Sequence, residues 1–334
     1  MAKDLPNKAR VVIVGGGVIG CSIAYHLTKI GVEDVVLLER KQLTSGTTWH
    51  AAGLIGQLRD NHHMTNLAKY TAELYLELEN ETGQATGYKV NGSRSTATHE
   101  GRMEDLLRRA DMAKVFGLKV DVLSPEECKE HHPLIEIHDV IGGIFIPTDG
   151  QADPVGITQA LAKGARMGGA QIFENTKVER VLVDGDKVTG VETEAGTVMA
   201  DHVVLACGMW TREFASRIGV TVPLHACEHF YILTEPFEGC TPGLPVYRDY
   251  DHQAYYKEDA GKMLLGAFEL KAKPWGMDGI RDDFCFDQLP DDFDHFAPIL
   301  EDALRRMPAL ENAGIQTFFC GPESFTPDDR YHLG

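Results

Sequence analysis

The chain has 334 residues, 43% hydrophobic and 25% charged, enough to bury a large core in more than one domain or subdomain. Its formal net charge of -18 excludes the basic stripe of a nucleic-acid-binding surface and argues against an anionic membrane surface. No apolar run reaches membrane-span length, the short polar start carries no signal peptide, and the seven scattered cysteines include no Cys-x-x-Cys pair. The expectation is a cytoplasmic protein with reduced thiols and no metal centre.

In chain order, Val11–Val14 is an apolar strand that runs into Gly15-Gly16-Gly17-Val18-Ile19-Gly20. An amphipathic helix follows to Ile30, and a second apolar strand, Val35–Leu38, ends on Glu39. Strand, Gly-x-Gly-x-x-Gly turn, helix, strand and acid form the dinucleotide fingerprint in its full context. Gly15 permits the tight turn, Gly17 lets backbone approach a pyrophosphate, and Gly20 lets helix and strand pack closely. The helix N-terminus is positive toward phosphates, and Glu39 stands where an acid holds ribose hydroxyls. The next segment, Glu39 to Leu54, is rich in small, hydroxylated and glycine residues, which suits backbone wrapped around a large ligand.

Asn61–Glu81 carries Leu67, Tyr70, Leu74 and Leu78 at helical spacing. Tyr88–Thr98 alternates like a strand, and Gly101–Phe116 is helical. Ser124-Pro125-Glu126-Glu127 is a capping box, and Asp153-Pro154 starts a helix to Met167. The pairs His62-His63 and His131-His132 lack partners at metal-ligand spacing. Strands are predicted at Ala170–Glu174, Val178–Asp184 and Val188–Glu192, then a buried strand over His202–Trp210. From Val222 the pattern changes. Phe230–Thr234, Ala254–Tyr256 and Met263–Phe268 read as an antiparallel sheet, with a helix over Phe296–Met307.

Ser45-Gly46-Thr47-Thr48-Trp49-His50-Ala51-Ala52-Gly53-Leu54 resembles the flavin-attachment segment of the sarcosine dehydrogenase and dimethylglycine dehydrogenase family. The resemblance returns in Asp149-Gly150 with Asp153-Pro154, in Val222-Pro223-Leu224 with His229-Phe230-Tyr231, and in Tyr255-Tyr256-Lys257. It returns again in Gly321–Asp328, nearer the sarcosine side. It implies an α/β chain, α+β overall. A Rossmann-like FAD-binding domain, residues 1–85 and 145–221, would carry an antiparallel substrate sheet, residues 86–144 and 222–320. Residues 321–334 would begin a return to the first domain, truncated at the C-terminus. A further strand and a folate-binding region would follow in the family.

The resemblance further implies covalent FAD on His50. Gly15, Gly17, Val18, Ile19, Gly20, Glu39 and Arg40 would line the cofactor, with Gly46, Thr47, Thr48, Trp49, Ala51, Ala52, Gly53 and Leu54, and with Val178, Gly208 and Trp210. The implied reaction is oxidative N-demethylation of an N-methylated glycine, sarcosine or dimethylglycine, with electron-transfer flavoprotein or oxygen as acceptor. His229, titrating near the working pH, and Tyr255 would be catalytic, with Tyr256 alternating to the other face. Arg59, Arg248 and Lys257 are candidate anchors for the substrate carboxylate. Two alternatives stand beside this reading. One is an oxygen-using amine or amino-acid oxidase. The other is a non-catalytic subunit like the regulatory subunit of pyruvate dehydrogenase phosphatase, against which stand His50, His229, Tyr255 and the expected absence of a mitochondrial presequence.

Overall fold

A computed structural model describes residues 4–333. Two sheets organise it. The first has six strands, in the order Gln171–Phe173, Val35–Leu38, Lys8–Val14, Gly196–Leu205, Lys187–Thr193 and Val178–Asp184. The first four run parallel, and the last two add an antiparallel meander. Both faces are covered, which explains the unbroken apolar run Val11–Val14. Val11, Ile13, Val35 and Leu37 pack with Tyr25, Ile157 and Leu161 from helices Val18–Lys29 and Pro154–Met167. Val12, Val14, Val36 and Leu38 pack on the opposite side with Val181, Val191 and Val198 of the meander. The strand expected over His202–Trp210 ends at Leu205, and Gly208–Trp210 is a 3-10 turn.

The second sheet has nine strands. Its path is Pro274–Trp275, His225–Thr234, Lys262–Ala267, Ala254–Asp259, Val246–Asp249, Ser93–Ala97, Gly142–Ile146 and Asp121–Leu123, and Ile315–Phe325 also pairs with His225–Thr234. The expected antiparallel sheet is present with one exception. Val246–Arg248 pairs parallel with Ser93–Ser95, which joins the first and last thirds of the chain. Gly142–Ile146 belongs to this sheet, so it extends past the expected boundary at residue 145. Gly321–Phe325, expected to begin a return to the first domain, also stays here. Its backbone pairs from Gly321↔His229 to Phe325↔His225. The core behind this sheet gathers Phe230, Tyr247, Tyr256, Leu265, Phe296 and Phe318.

Candidate functional site

The glycine turn has the geometry that the sequence pattern demands. Gly15 has φ of +111°, and the Ala206 carbonyl occupies the place where a Cβ would stand. Gly20 packs directly on the Gly15 carbonyl. Gly17 caps helix Val18–Lys29 without a side-chain cap of its own, so the first-turn N–H groups of Ile19 and Gly20 have no partner within the helix. The Thr48 hydroxyl accepts from Val18 N at 3.1 Å, which ties the second glycine-rich segment to this turn. Glu39 accepts from Gly16 N at 2.6 Å and Lys41 N at 2.8 Å, and a carboxylate has further lone pairs for hydroxyl donors. Burial raises its pKa, partly offset by those two N–H groups.

The segment Gly46–Leu54 closes over this turn. Gly46 lies under the Trp210 ring, 3.2 Å from the position of an added Cβ. Thr47 leads into a 3-10 turn, Thr48–His50. Ala51 and Ala52 lead out of it, and the Ala52 carbonyl accepts from Lys257 Nζ at 2.9 Å. Gly53 has φ of +73°, and Leu54 pairs with Gln151. The His50 ring is buried between Trp49 and Phe319, with centroids 5.5 and 5.0 Å away. Burial pushes its pKa down to about 4, so the imidazole is neutral. Gly321 passes over it, and an added Cβ would stand 3.0 Å from His50 Cε1.

Three buried polar atoms here lack any partner: Trp49 Nε1, His50 Nε2 and Trp210 Nε1. Buried polar groups are nearly always satisfied. Three orphans near a helix end whose Ile19 and Gly20 N–H groups have no partner within the helix fit a large polar ligand that supplies their partners, and FAD meets that requirement. Two residues expected at the cofactor have other contacts. The Arg40 guanidinium stacks on Trp210 at 4.1 Å and donates to the carbonyls of Asp282, at 3.0 Å, and Phe284. The Val178 side chain is buried in the meander core, leaving only its backbone for a ligand. Gly208, with φ of +55°, has open space around its Cα.

The register of the second sheet brings the two catalytic candidates together. Tyr231, Gly266, Tyr255 and Arg248 lie directly opposite one another across four strands and so share one face. His229, two residues before Tyr231, is on that face too. Gly266 has no side chain, and the Tyr255 ring lies over it. The Tyr255 hydroxyl thereby reaches His229 Nε2 at 3.0 Å. Tyr256 points the other way, stacked on Tyr247 at 5.1 Å in the core.

The expected near-neutral titration of His229 is corrected. Burial, with the nearby His50, pushes its pKa down to about 4. The group on this face with a pKa near 7 is Glu323, which lies within Gly321–Asp328 and is not among the residues expected in the site. Its carboxylate lies 3.7 Å from His229 Nε2, and burial, Asp329 and Glu269 raise it to about 7. Period two from Gly321, opposite His229, would have placed it on the same face. A cavity of about 200 Å³ beside His229 is lined in part by Cys227, Phe268 and Glu269. Among the described residues, no group of His, Cys, Asp and Glu could hold a metal.

Comparison with known proteins agrees with this geometry. The family model described as DAO, FAD dependent oxidoreductase, matches residues 10–334. The chain is 44% identical over 330 residues to a 4-methylaminobutanoate oxidase (formaldehyde-forming) of Paenarthrobacter nicotinovorans, covering 99% of this chain and 40% of that protein. It is 39% identical to the mitochondrial sarcosine dehydrogenase of Mus musculus, covering 100% and 37%. It is also 39% identical to the mitochondrial pyruvate dehydrogenase phosphatase regulatory subunit of Mus musculus, covering 99% and 38%. The chain thus spans about two-fifths of the length of these relatives. The crystal structure of L-proline dehydrogenase from P. horikoshii superposes with a TM-score of 0.88 at 26% identity, covering 99% and 85%. The chain belongs to the DAO family of FAD dependent oxidoreductases.

Proposed function

We propose that this chain is the flavin- and substrate-binding part of an enzyme that oxidatively demethylates an N-methylated amino acid, with FAD bonded covalently to His50. The observation that carries the reading is the His229–Tyr255 pair, 3.0 Å apart on the sheet face that also looks toward His50. FAD held there supplies a two-electron acceptor for the hydride of the N-methyl carbon. The side chains supply the proton chemistry. A protonated amine has no lone pair with which to expel a hydride, so the site must take a proton from it. His229 is neutral and able to receive one, while burial raises the Tyr255 pKa well above its ordinary value and keeps the phenol protonated. The hydroxyl relays a proton to the imidazole and orients the amine. His50, neutral and with Nε2 unpartnered, is the residue that would carry the covalent bond.

The test is anaerobic addition of sarcosine, dimethylglycine and 4-methylaminobutanoate to the FAD-loaded protein. Bleaching of the flavin with release of formaldehyde supports the reading. Failure of all three to bleach it rejects the reading in favour of the second one, a non-catalytic regulatory subunit, which rests on the 39% identity to such a protein. Oxygen uptake without an added acceptor then separates an oxidase from a dehydrogenase that passes electrons to an electron-transfer flavoprotein.

A further inference from the structure

Strand His225–Thr234 has a gap along one side. Its pairing with strand Lys262–Ala267 stops at Tyr231↔Gly266 and resumes only at Cys227↔Pro274, with Glu228 N donating to the Lys273 carbonyl at 2.8 Å. Between these points the backbone of residues 268–272 leaves the sheet, which opens a window beside His229 and Phe230. Those two neighbours lie on opposite faces. His229 stacks on Phe268 at 4.8 Å on the face that carries Tyr255, and Phe230 stacks on His295 at 5.1 Å on the core side.

Glu269 stands in the window. It lines the cavity of about 200 Å³ beside His229, and also a second cavity of about 280 Å³ that His295 lines behind the sheet. His295 Nε2 hydrogen-bonds Glu269 Oε1 at 3.2 Å. The Asp292 cap of helix Phe293–Arg306 accepts from His295 N at 3.0 Å and fixes that residue in place. Glu269 and His295 keep only 11% and 16% side-chain exposure, yet the rear cavity has the exposed Lys271 at its rim. On the front side, burial raises the pKa of Tyr255, Glu323 and Cys227, and the charge of Glu269 adds to the rise in each case. In the rear cavity Asp251, His252 and Asp302 are held by Arg102, Asp249 and Arg305. Among the described residues, no lysine or arginine forms an ion pair with Glu269. A carboxylate paired only with an imidazole can pass a proton, because either partner can hold it.

The reaction needs such an outlet. An ammonium substrate gives one proton to His229 before its hydride leaves, and the electron pair stays on nitrogen. His229 must lose that proton before it can serve again. Cofactor and substrate on the front face exclude water from that side. The front cavity is large enough to hold several waters.

We propose that Glu269 and His295 form the proton outlet of the site, a relay from His229 through the window to the rear cavity. This rests on the function proposed above. The proton passes from the His229 imidazole through water in the front cavity to the Glu269 carboxylate. The carboxyl hands it to His295 Nε2, and Nδ1 of the same ring releases a proton to the rear cavity. One proton leaves for each hydride transferred, and no electrons travel this route.

The test compares FAD-loaded wild type, Glu269→Gln and His295→Gln. The two substitutions keep a hydrogen-bonding end but cannot carry the proton. In weakly buffered anaerobic stopped flow with sarcosine or 4-methylaminobutanoate, a pH indicator reads proton release beside flavin bleaching. Release should keep pace with bleaching in wild type and lag about tenfold or more in Glu269→Gln, a part of what one positioned proton-transfer group supplies. Added imidazole or formate should shorten the lag by entering the cavity and carrying the proton, a rescue that a structural defect would not show. A second readout needs no substrate. Exchange of the His229 ring N–H with water, followed by NMR on protein with isotope-labelled histidine, should slow by a similar factor in Glu269→Gln and His295→Gln. Exchange at the wild-type rate in both variants, release that keeps pace with bleaching in both, or a lag that neither small buffer shortens overturns the proposal. Slowed exchange without bleaching by any N-methylated amine keeps the outlet and rejects the demethylation reading.

Discussion

At the residue scale, two neighbouring side chains on one face, His229 and Glu323, have distinct protonation behaviour that leads to a test. His229 is held neutral with a pKa of about 4, whereas Glu323, 3.7 Å away, has a pKa of about 7. The pH dependence of flavin reduction between pH 6 and 8 should therefore follow Glu323. As pH rises through 7 its carboxylate ionises, favours protonated His229 and makes the pair a better proton acceptor. Reduction should accelerate with pH in wild type, and Glu323→Gln should flatten that rise. A rise that persists in Glu323→Gln would assign the titration elsewhere. His50→Ala should abolish covalent attachment without preventing the fold. Acid-precipitated wild-type protein should remain yellow, and the variant should release all its flavin to the supernatant. Flavin wholly released from wild type would reject the covalent bond.

At the scale of elements, the active face depends on strand register. The Tyr255 ring occupies the space above Gly266, so Gly266→Ala forces the tyrosine away from His229. Overpacking of this kind costs roughly 1–3 kcal/mol. The variant should therefore show a lower melting temperature together with slower flavin reduction, and normal reduction would show that the register does not set the pair. Behind the sheet, the buried Arg306 guanidinium binds Asp249 at 3.1 Å and Asp139 at 2.7 Å, tying helix Phe293–Arg306 to strand Val246–Asp249 and to the loop that carries Asp139. Asp249 is fully buried, and burial alone would raise its pKa, but His252 and Arg306 hold it low. A depressed carboxylate stabilises the fold above its unfolded pKa, and that contribution is lost as pH falls through the folded value. Asp249→Asn should remove about 1.5–3 kcal/mol, since it weakens the charged hydrogen bond to a buried guanidinium that keeps its other partner, Asp139. Denaturant unfolding at pH 7 checks this, with a smaller difference expected at low pH.

At the scale of the whole molecule, much of the first domain was legible from local pattern. Gly15 to Gly20 between an apolar strand and a helix leaves few other geometries, and Asp153-Pro154 and Ser124–Glu127 fixed helix starts that the structure keeps. The arrangement of the second sheet was less legible. The parallel pairing of Ser93–Ser95 with Val246–Arg248 joins segments about 150 residues apart, and no local period encodes it. The same holds for Arg40, whose contacts with Trp210 and the 282–284 loop come from distant parts of the chain. It holds also for Arg109, which meets Tyr250 only because helix Glu100–Val115 packs on that sheet. Alternation could choose Tyr255 over Tyr256 as the residue on the His229 face only once His229 was placed.

The central claim is that His229 and Tyr255 act together on an amine at a flavin tied to His50. Anaerobic stopped-flow reduction of the FAD-loaded protein by a saturating N-methylated amino acid tests it most directly, in wild type, His229→Gln, Tyr255→Phe and Tyr256→Phe. The account predicts a fall of about 10²–10⁴-fold for His229→Gln. It predicts a clear loss for Tyr255→Phe and near-normal reduction for Tyr256→Phe, with FAD still attached in all four. Unchanged reduction in His229→Gln and Tyr255→Phe would contradict it.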